Sequence, residues 1–176
     1  MLGALLQDLR SQPWRRQALQ VVQMLHVIAV ALAVWKGMAV VTNTESPVVV
    51  VLSGSMEPGY YRGDLLFLTK TSRPIEVGDV TVYRARNTEI PIVHRVIETH
   101  SAPKSGQLLL TKGDNNGQDD IMLYNGMRWL HSDQIVGRVM GYLPYVGYVT
   151  LLMNDFPMLK YVVLGLLGLS MLFERE

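Results

Sequence analysis

Cysteine is absent, which removes disulfide staples and thiolate metal sites from consideration. A secretory-pathway domain can also lack disulfides, so this absence does not place the chain in a reducing compartment. Surplus charge is lacking too. Sixteen Lys and Arg against fifteen Asp and Glu leave a formal net charge of +1, too little to neutralise a run of phosphates, so nucleic acid is not an expected partner. No Asn-x-Ser/Thr acceptor occurs, and glycosylation gives no topological clue. Sustained helical periodicity is missing from the middle of the chain, which argues against a helical domain there.

Apolar residues are what the chain has in plenty. They make up 49% of its 176 residues, mean hydropathy is +0.18, and they gather at the two ends. That distribution is a membrane signature. The stretch 19–41 is long enough, at ~1.5 Å per helical residue, to cross a hydrocarbon core of ~30 Å. Gln23 and His26 near its start and Lys36 near its end make it an imperfect span. Lys36 can snorkel to the headgroups, and His26 and Trp35 are expected to be helix-packing residues rather than a site. Arg10, Arg15 and Arg16 precede the span, whereas Thr42-Asn43-Thr44-Glu45 follows it, so the positive-inside rule puts the N-terminus in the cytosol. Residues 1–18 form a cytosolic segment whose Leu2, Leu5, Leu6 and Leu9 recur at helical spacing, fitting either an interfacial helix or a frayed terminus. The exit of the span has no small-residue cleavage pattern, which favours an uncleaved anchor.

At the other end, Tyr161 to Phe173 is apolar but reaches only ~20 Å as a helix. Tyr142, Tyr145 and Tyr148 precede it and suit an interface, so 142–176 reads as a membrane-associated segment. In between, short runs at Val48–Leu52, Leu65–Lys70, Val80–Arg84, Ile90–Ile97, Leu108–Lys112 and Ile135–Met140 are punctuated by Gly, Pro, Asn and Asp. They predict a mainly β protein: a small antiparallel β domain over 42–141, with an N-terminal transmembrane helix and a short apolar C-terminal helix.

Within that domain, the run Val48 to Leu52 ends on Ser53-Gly54-Ser55. A serine hydroxyl is a weak nucleophile until a base takes its proton. Of four histidines, His94 alone sits inside an apolar strand, where a ring can be held rigidly. Asp114, Asp119 and Asp120, in the polar loop after Lys112, are candidate carboxylates to fix its tautomer, and spacing does not choose among them. Lys112 or Lys70 as a base in a Ser-Lys pair also stays open. The bland alternatives are a turn hydroxyl, a core histidine and solvated turn caps. Gly63-Asp64 and Gly78-Asp79 lead directly into strands and read as turns with local backbone hydrogen bonds.

Ser53-Gly54-Ser55-Met56-Glu57-Pro58, Arg62-Gly63-Asp64, Val77-Gly78-Asp79-Val80, Ile92-Val93-His94-Arg95-Val96 and Thr111-Lys112-Gly113-Asp114-Asn115-Asn116 occur in that order. In this the chain resembles the type I signal peptidases over nearly its whole length, and specifically their endoplasmic-reticulum branch. The resemblance implies a membrane-anchored serine endopeptidase that removes N-terminal signal peptides after small residues. Ser55 would be its nucleophile, His94 its base where bacterial relatives have lysine, and Asp120 its third member. Asp114 would be a supporting or alternative acid, and Ser53 would help the Ser55 backbone N–H hold the oxyanion. It further implies no cofactor or metal, a single-pass protein of the endoplasmic-reticulum membrane with a lumenal catalytic domain, and signal-peptide-bearing preproteins, accessory membrane subunits and lipid as partners. Archaea and some spore-forming bacteria have signal peptidases of the same branch, which would instead put the domain outside the plasma membrane. The rival from another class is a non-catalytic membrane scaffold with the same β fold.

Overall fold

The computed structural model describes residues 14–85, 90–102 and 106–173. The chain divides into a helical unit up to Val41 and a second unit from Thr42 onward. Helix α1 (Trp14–Thr42) has no buried residue, and Leu19, Val22, Leu25, Ile28, Leu32 and Trp35 are all exposed. A helix apolar on every side is stable in hydrocarbon rather than in water. Its 29 residues are long and apolar enough to cross a membrane. Asn43, at φ 52°, ends it in the left-handed conformation that asparagine tolerates. Residues 1–13, with the leucine spacing noted above, lie outside the described residues.

The second unit is a seven-stranded antiparallel sheet. Its strands are β1 (Val48–Val50), β2 (Leu65–Thr69), β3 (Val80–Tyr83), β4 (Ile92–Ala102), β5 (Gly106–Lys112), β6 (Leu130–His131) and β7 (Ile135–Leu143), in the spatial order β1-β2-β7-β3-β4-β5-β6. Strand β3 is buried along its whole length, which is why Val80-Thr81-Val82-Tyr83 shows no polar face. Its two sides serve different cores. Val82 packs with Val51, Leu66 and Leu68, while Tyr83 packs with Val96, Leu109, Leu110, Tyr124, Leu130 and Ile135. Pairing of Thr81 with His94, Tyr83 with Ile92, and Val96 with Thr111 brings Thr81, Tyr83, His94 and Thr111 onto one face.

Several strand limits differ from the sequence expectation: β1 stops at Val50 rather than Leu52, and β7 runs on to Leu143 rather than ending at Met140. Strand β4 continues past Ile97 to Ala102, because a bulge between Val96 and Glu98 lets the polar segment Glu98-Thr99-His100-Ser101 pair with β5 at the exposed end of the hairpin. Strand β6 is only two residues long and leaves no run to detect.

The chain then leaves β7 for α2 (Tyr148–Asp155) and α3 (Pro157–Phe173). The break falls at Phe156, which precedes a proline and is held out of the helical region, while Pro157 is tolerated in a first turn. The two axes are bent by 109°. Helix α3 thus starts four residues before Tyr161 and measures ~25 Å. The entry to α2 depends on two glycines. A Cβ on Gly63 (φ +92°) would lie 2.3 Å from the Tyr148 ring, and one on Gly147 would lie 2.6 Å from Val50. Asp64 accepts the local Tyr61 N–H and also the distant Tyr145 N–H, so this turn ties α2 to the sheet.

Candidate active site

Past Val50 the first strand keeps bonding to the turn that precedes β2, through Val51 N–H to Asp64 and Gly63 N–H to Val51. The loop that follows turns on itself, with Glu57 N–H donating to Gly54 and Tyr60 N–H to Met56. Met56 is fully buried, which fixes this loop to the core. The Glu57–Pro58 peptide is cis. Ser55, immediately before the Met56 anchor, is half-buried, and Ser53 is exposed.

His94 Nε2 lies 3.1 Å from Ser55 Oγ, and His94 Nδ1 lies 2.5 Å from Asp120 Oδ2. The side chains of His94 and Asp120 are only 5% and 2% exposed. Asp120 Oδ2 also accepts the hydroxyls of Thr111 at 2.6 Å and Tyr83 at 3.1 Å. Three donors thus converge on one oxygen of a buried carboxyl group, which meets its need for partners away from water. Its demand for a donor assigns the proton of the neutral imidazole to Nδ1, leaving Nε2 free to accept from Ser55. Burial and the neighbouring Asp120 charge push the Tyr83 phenol well above its ordinary pKa, so it stays a donor. Tyr124 is raised chiefly by burial.

The three candidate aspartates have separate partners. Asp120 meets His94. Asp119 caps the following turn through the Ile121 N–H. Asp114 forms a two-point ion pair with Arg95, Nε to Oδ1 at 2.8 Å and Nη2 to Oδ2 at 2.7 Å. The alternative in which Asp114 orients His94 therefore has no geometric counterpart. The same loop instead grips the serine: Asn115 N–H donates to Ser55 O at 2.9 Å, and Asn115 Nδ2 donates to Gly54 O at 3.1 Å. A Cβ on Gly113 would come within 2.7 Å of Ser55 O, so only glycine allows this approach.

The other histidines are accounted for. His100 pairs with Glu98 at 2.6 Å and lies edge-on to Trp129, His131 opens a short 3-10 turn, and His26 belongs to α1. Ser55 Oγ bonds to His94 and, at 3.2 Å, to Ser53 Oγ, whereas no bond joins it to Lys70 or Lys112 among the described residues. The described residues contain no group of three His, Asp or Glu able to hold a metal ion. Gly78-Asp79 is a turn as expected, with Asp79 accepting the Glu76 N–H. It is also an ion-pair centre for Arg73 and Arg138: burial opposes its charge, but the Glu76 N–H, followed by Arg138 and Arg73, holds its carboxyl below the usual range. A cavity of about 460 Å³ lies elsewhere, lined in part by Lys70, Arg73, Gln107 and Arg138.

Sequence reasoning passed over Tyr83, Thr111 and Tyr124. The available signal was a hydroxyl inside an apolar strand, in Val-Thr-Val-Tyr and Leu-Leu-Leu-Thr, where a buried polar group needs a partner.

Comparison with known proteins adds an independent finding. Residues 23–140 match the peptidase S24-like family, and residues 148–173 match the signal peptidase C-terminal short helix. The chain is 56% identical over 179 residues to the signal peptidase complex catalytic subunit SEC11 of Schizophyllum commune, covering 92% of this chain and 93% of that one. It is 48% identical to the human signal peptidase complex catalytic subunit SEC11C, covering 96% and 89%. Against the corresponding subunit of Dictyostelium discoideum identity is 45%, covering 94% and 93%.

Proposed function

The chain belongs to the family of signal peptidase complex catalytic subunits, within the S24-like peptidases, and from that premise we propose that it is a Ser-His-Asp endopeptidase that removes signal peptides from preproteins. The observation that carries the mechanism is the alignment of Ser55 Oγ, His94 Nε2, His94 Nδ1 and Asp120 Oδ2 through contacts of 3.1 and 2.5 Å.

Ser55 Oγ attacks the scissile carbonyl as its proton passes to His94 Nε2, and Asp120 stabilises the imidazolium. The oxyanion is held by the Ser55 backbone N–H and the Ser53 hydroxyl, which turns from its bond to Ser55 to face it. Breaking the C–N bond sends the imidazolium proton to the leaving amine, which begins the mature protein. Water, deprotonated by His94, then attacks the ester on Ser55 and releases the signal peptide as a carboxylate. An extended substrate suits the open edge of β1, where main-chain bonds set register and alternate side chains enter pockets. Shallow pockets for the first and third side chains before the cut would give a preference for small residues there.

Helix α1 anchors the protein in the endoplasmic-reticulum membrane with its N-terminus cytosolic and the β unit in the lumen, alongside accessory membrane subunits. Anchoring beside the bilayer-embedded signal sequence raises its effective concentration. At ~25 Å, α3 is shorter than an ordinary hydrocarbon core and favours locally thinned lipid, where a short signal-peptide core fits better than a full transmembrane helix.

The test is cleavage of a preprotein by the reconstituted complex. Ser55→Ala should abolish cleavage and leave assembly intact; cleavage that survives it overturns the nucleophile, and an unsubstituted complex that assembles without cleaving supports a scaffold. In sealed microsomes the β unit should resist added protease.

A further inference from the structure

The hydroxyl chain behind Asp120 is directional. Thr111 has one hydroxyl proton and spends it on Asp120 Oδ2, so its bond to Tyr124 OH, at 2.8 Å, must be donated by the tyrosine. Tyr124 OH in turn accepts the Thr111 backbone N–H at 2.9 Å. Thr111 O accepts the Asp120 N–H at 3.0 Å, so the same residue holds both the backbone and the side chain of the aspartate. Tyr83 reaches the same carboxylate oxygen from β3. All four residues are at most 1% exposed.

We propose that Thr111, Tyr83 and Tyr124 are positioning residues: Tyr124 orients the Thr111 hydroxyl, and Thr111 and Tyr83 together hold the Asp120 carboxyl group aimed at His94 Nδ1. This rests on the Ser-His-Asp reading above and deepens it. Two hydroxyl donors draw charge from the oxygen that faces the imidazole. They thereby set how strongly the histidine and aspartate pair binds a proton, whichever of the two carries it. Titratable groups around the carboxylate are His94 on β4, Tyr83 on β3, Tyr124 in the turn after it, and Asp119 beside it in the chain. Removing a donor raises the proton affinity of the pair, so the base is lost to protonation at a higher pH.

The experiment measures kcat/KM for preprotein cleavage by the assembled complex between about pH 5 and 9, with the unsubstituted chain, Thr111→Val, Thr111→Ser and Tyr83→Phe. Thr111→Val should move the acid limb up by about 1 pH unit and lower the neutral-pH rate ~10- to 100-fold. Tyr83→Phe should shift the limb the same way by less, since its bond is longer, and Thr111→Ser should return the limb to its unsubstituted position. Rates that fall without movement of the limb, or a Thr111→Ser profile like that of Thr111→Val, would overturn the proposal. If Thr111→Val fails to assemble, Tyr83→Phe, which removes a single oxygen, decides alone. A Ser55→Ala complex that still cleaves overturns the proposed function and this inference together. An unmoved limb in a Ser55-dependent enzyme overturns this inference only.

Discussion

Strand β4 carries two histidine–carboxylate pairs six residues apart. His94 meets Asp120 at 2.5 Å and His100 meets Glu98 at 2.6 Å, yet the first pair is 5% and 2% exposed and the second 51% and 48%. Contact distance therefore does not distinguish them. The inner pair is shielded from water, tied to Thr111 and Tyr83, and ends on Ser55; the outer pair lies open to solvent on the hairpin. In the dry pair each charge and dipole acts at low effective dielectric, while in the wet pair solvent screens the interaction and side-chain entropy opposes it. Arg95 and Asp114 fall between these extremes, on the opposite face of the strand from His94. Their use is mechanical: they fix the loop whose Asn115 grips Ser55.

The largest expected effect of breaking this contrast is at the inner pair. Asp120→Asn should lower kcat on the order of 10⁴-fold, because an amide in that place lets the imidazole adopt the wrong tautomer. Turnover within tenfold of the unsubstituted complex would contradict the assignment. His94→Lys should be equally inactive despite restoring a titratable amine, since the ammonium arrives at a different position with a different proton affinity and cannot use the Asp120 contact.

Next comes the mechanical pair. Asp114→Asn should cost ~100-fold or more in kcat by loosening the grip on Ser55, as misplacement of reacting groups by about 1 Å can do. Its acid limb should stay where it is, because the lost charge does not face His94. Movement of that limb would show that Asp114 acts on the base after all.

A pH titration sharpens the comparison further. On the proposed mechanism the inner pair works only while the imidazole is neutral, so activity should fall as pH drops and the ring takes a proton; a rate flat through mildly acidic pH would contradict His94 as the base. Stability follows a different group. Asp79 is held below the ordinary carboxylate range in the folded state, so its contribution is present above the unfolded value and lost as pH falls through the folded one. Asp79→Asn should thus lower the melting temperature at neutral pH, with the difference vanishing in strong acid. The smallest effect belongs to the outer pair: His100→Ala should change stability by no more than ~0.5 kcal/mol and leave turnover within about twofold.

Much of this was legible from residues alone because it depends on local pattern. The apolar run ending at Ser55 and the histidine buried in an apolar strand both follow from alternation and turn chemistry. The choice of Asp120 did not. Asp114, Asp119 and Asp120 share one polar loop, and which of them reaches His94 is decided by the bonding of Asp120 N–H to Thr111 and by the turn that buries Tyr124. Those are relations between distant strands, invisible to spacing. The outer part of β4 escapes the sequence pattern for a related reason: Glu98-Thr99-His100-Ser101 has no apolar face, and only its register with β5 makes it strand. The apolar pattern starts helix α3 four residues late because Lys160 interrupts the apolar run, whereas the helix itself begins at Pro157.

The most direct measurement is the mass of the peptide that contains Ser55 after acid quenching during preprotein cleavage. The account predicts a transient adduct equal to the signal peptide joined to Ser55 through an ester, absent in Ser55→Ala. Cleavage that proceeds at full rate with an adduct on another residue, or in the Ser55→Ala complex, would contradict it.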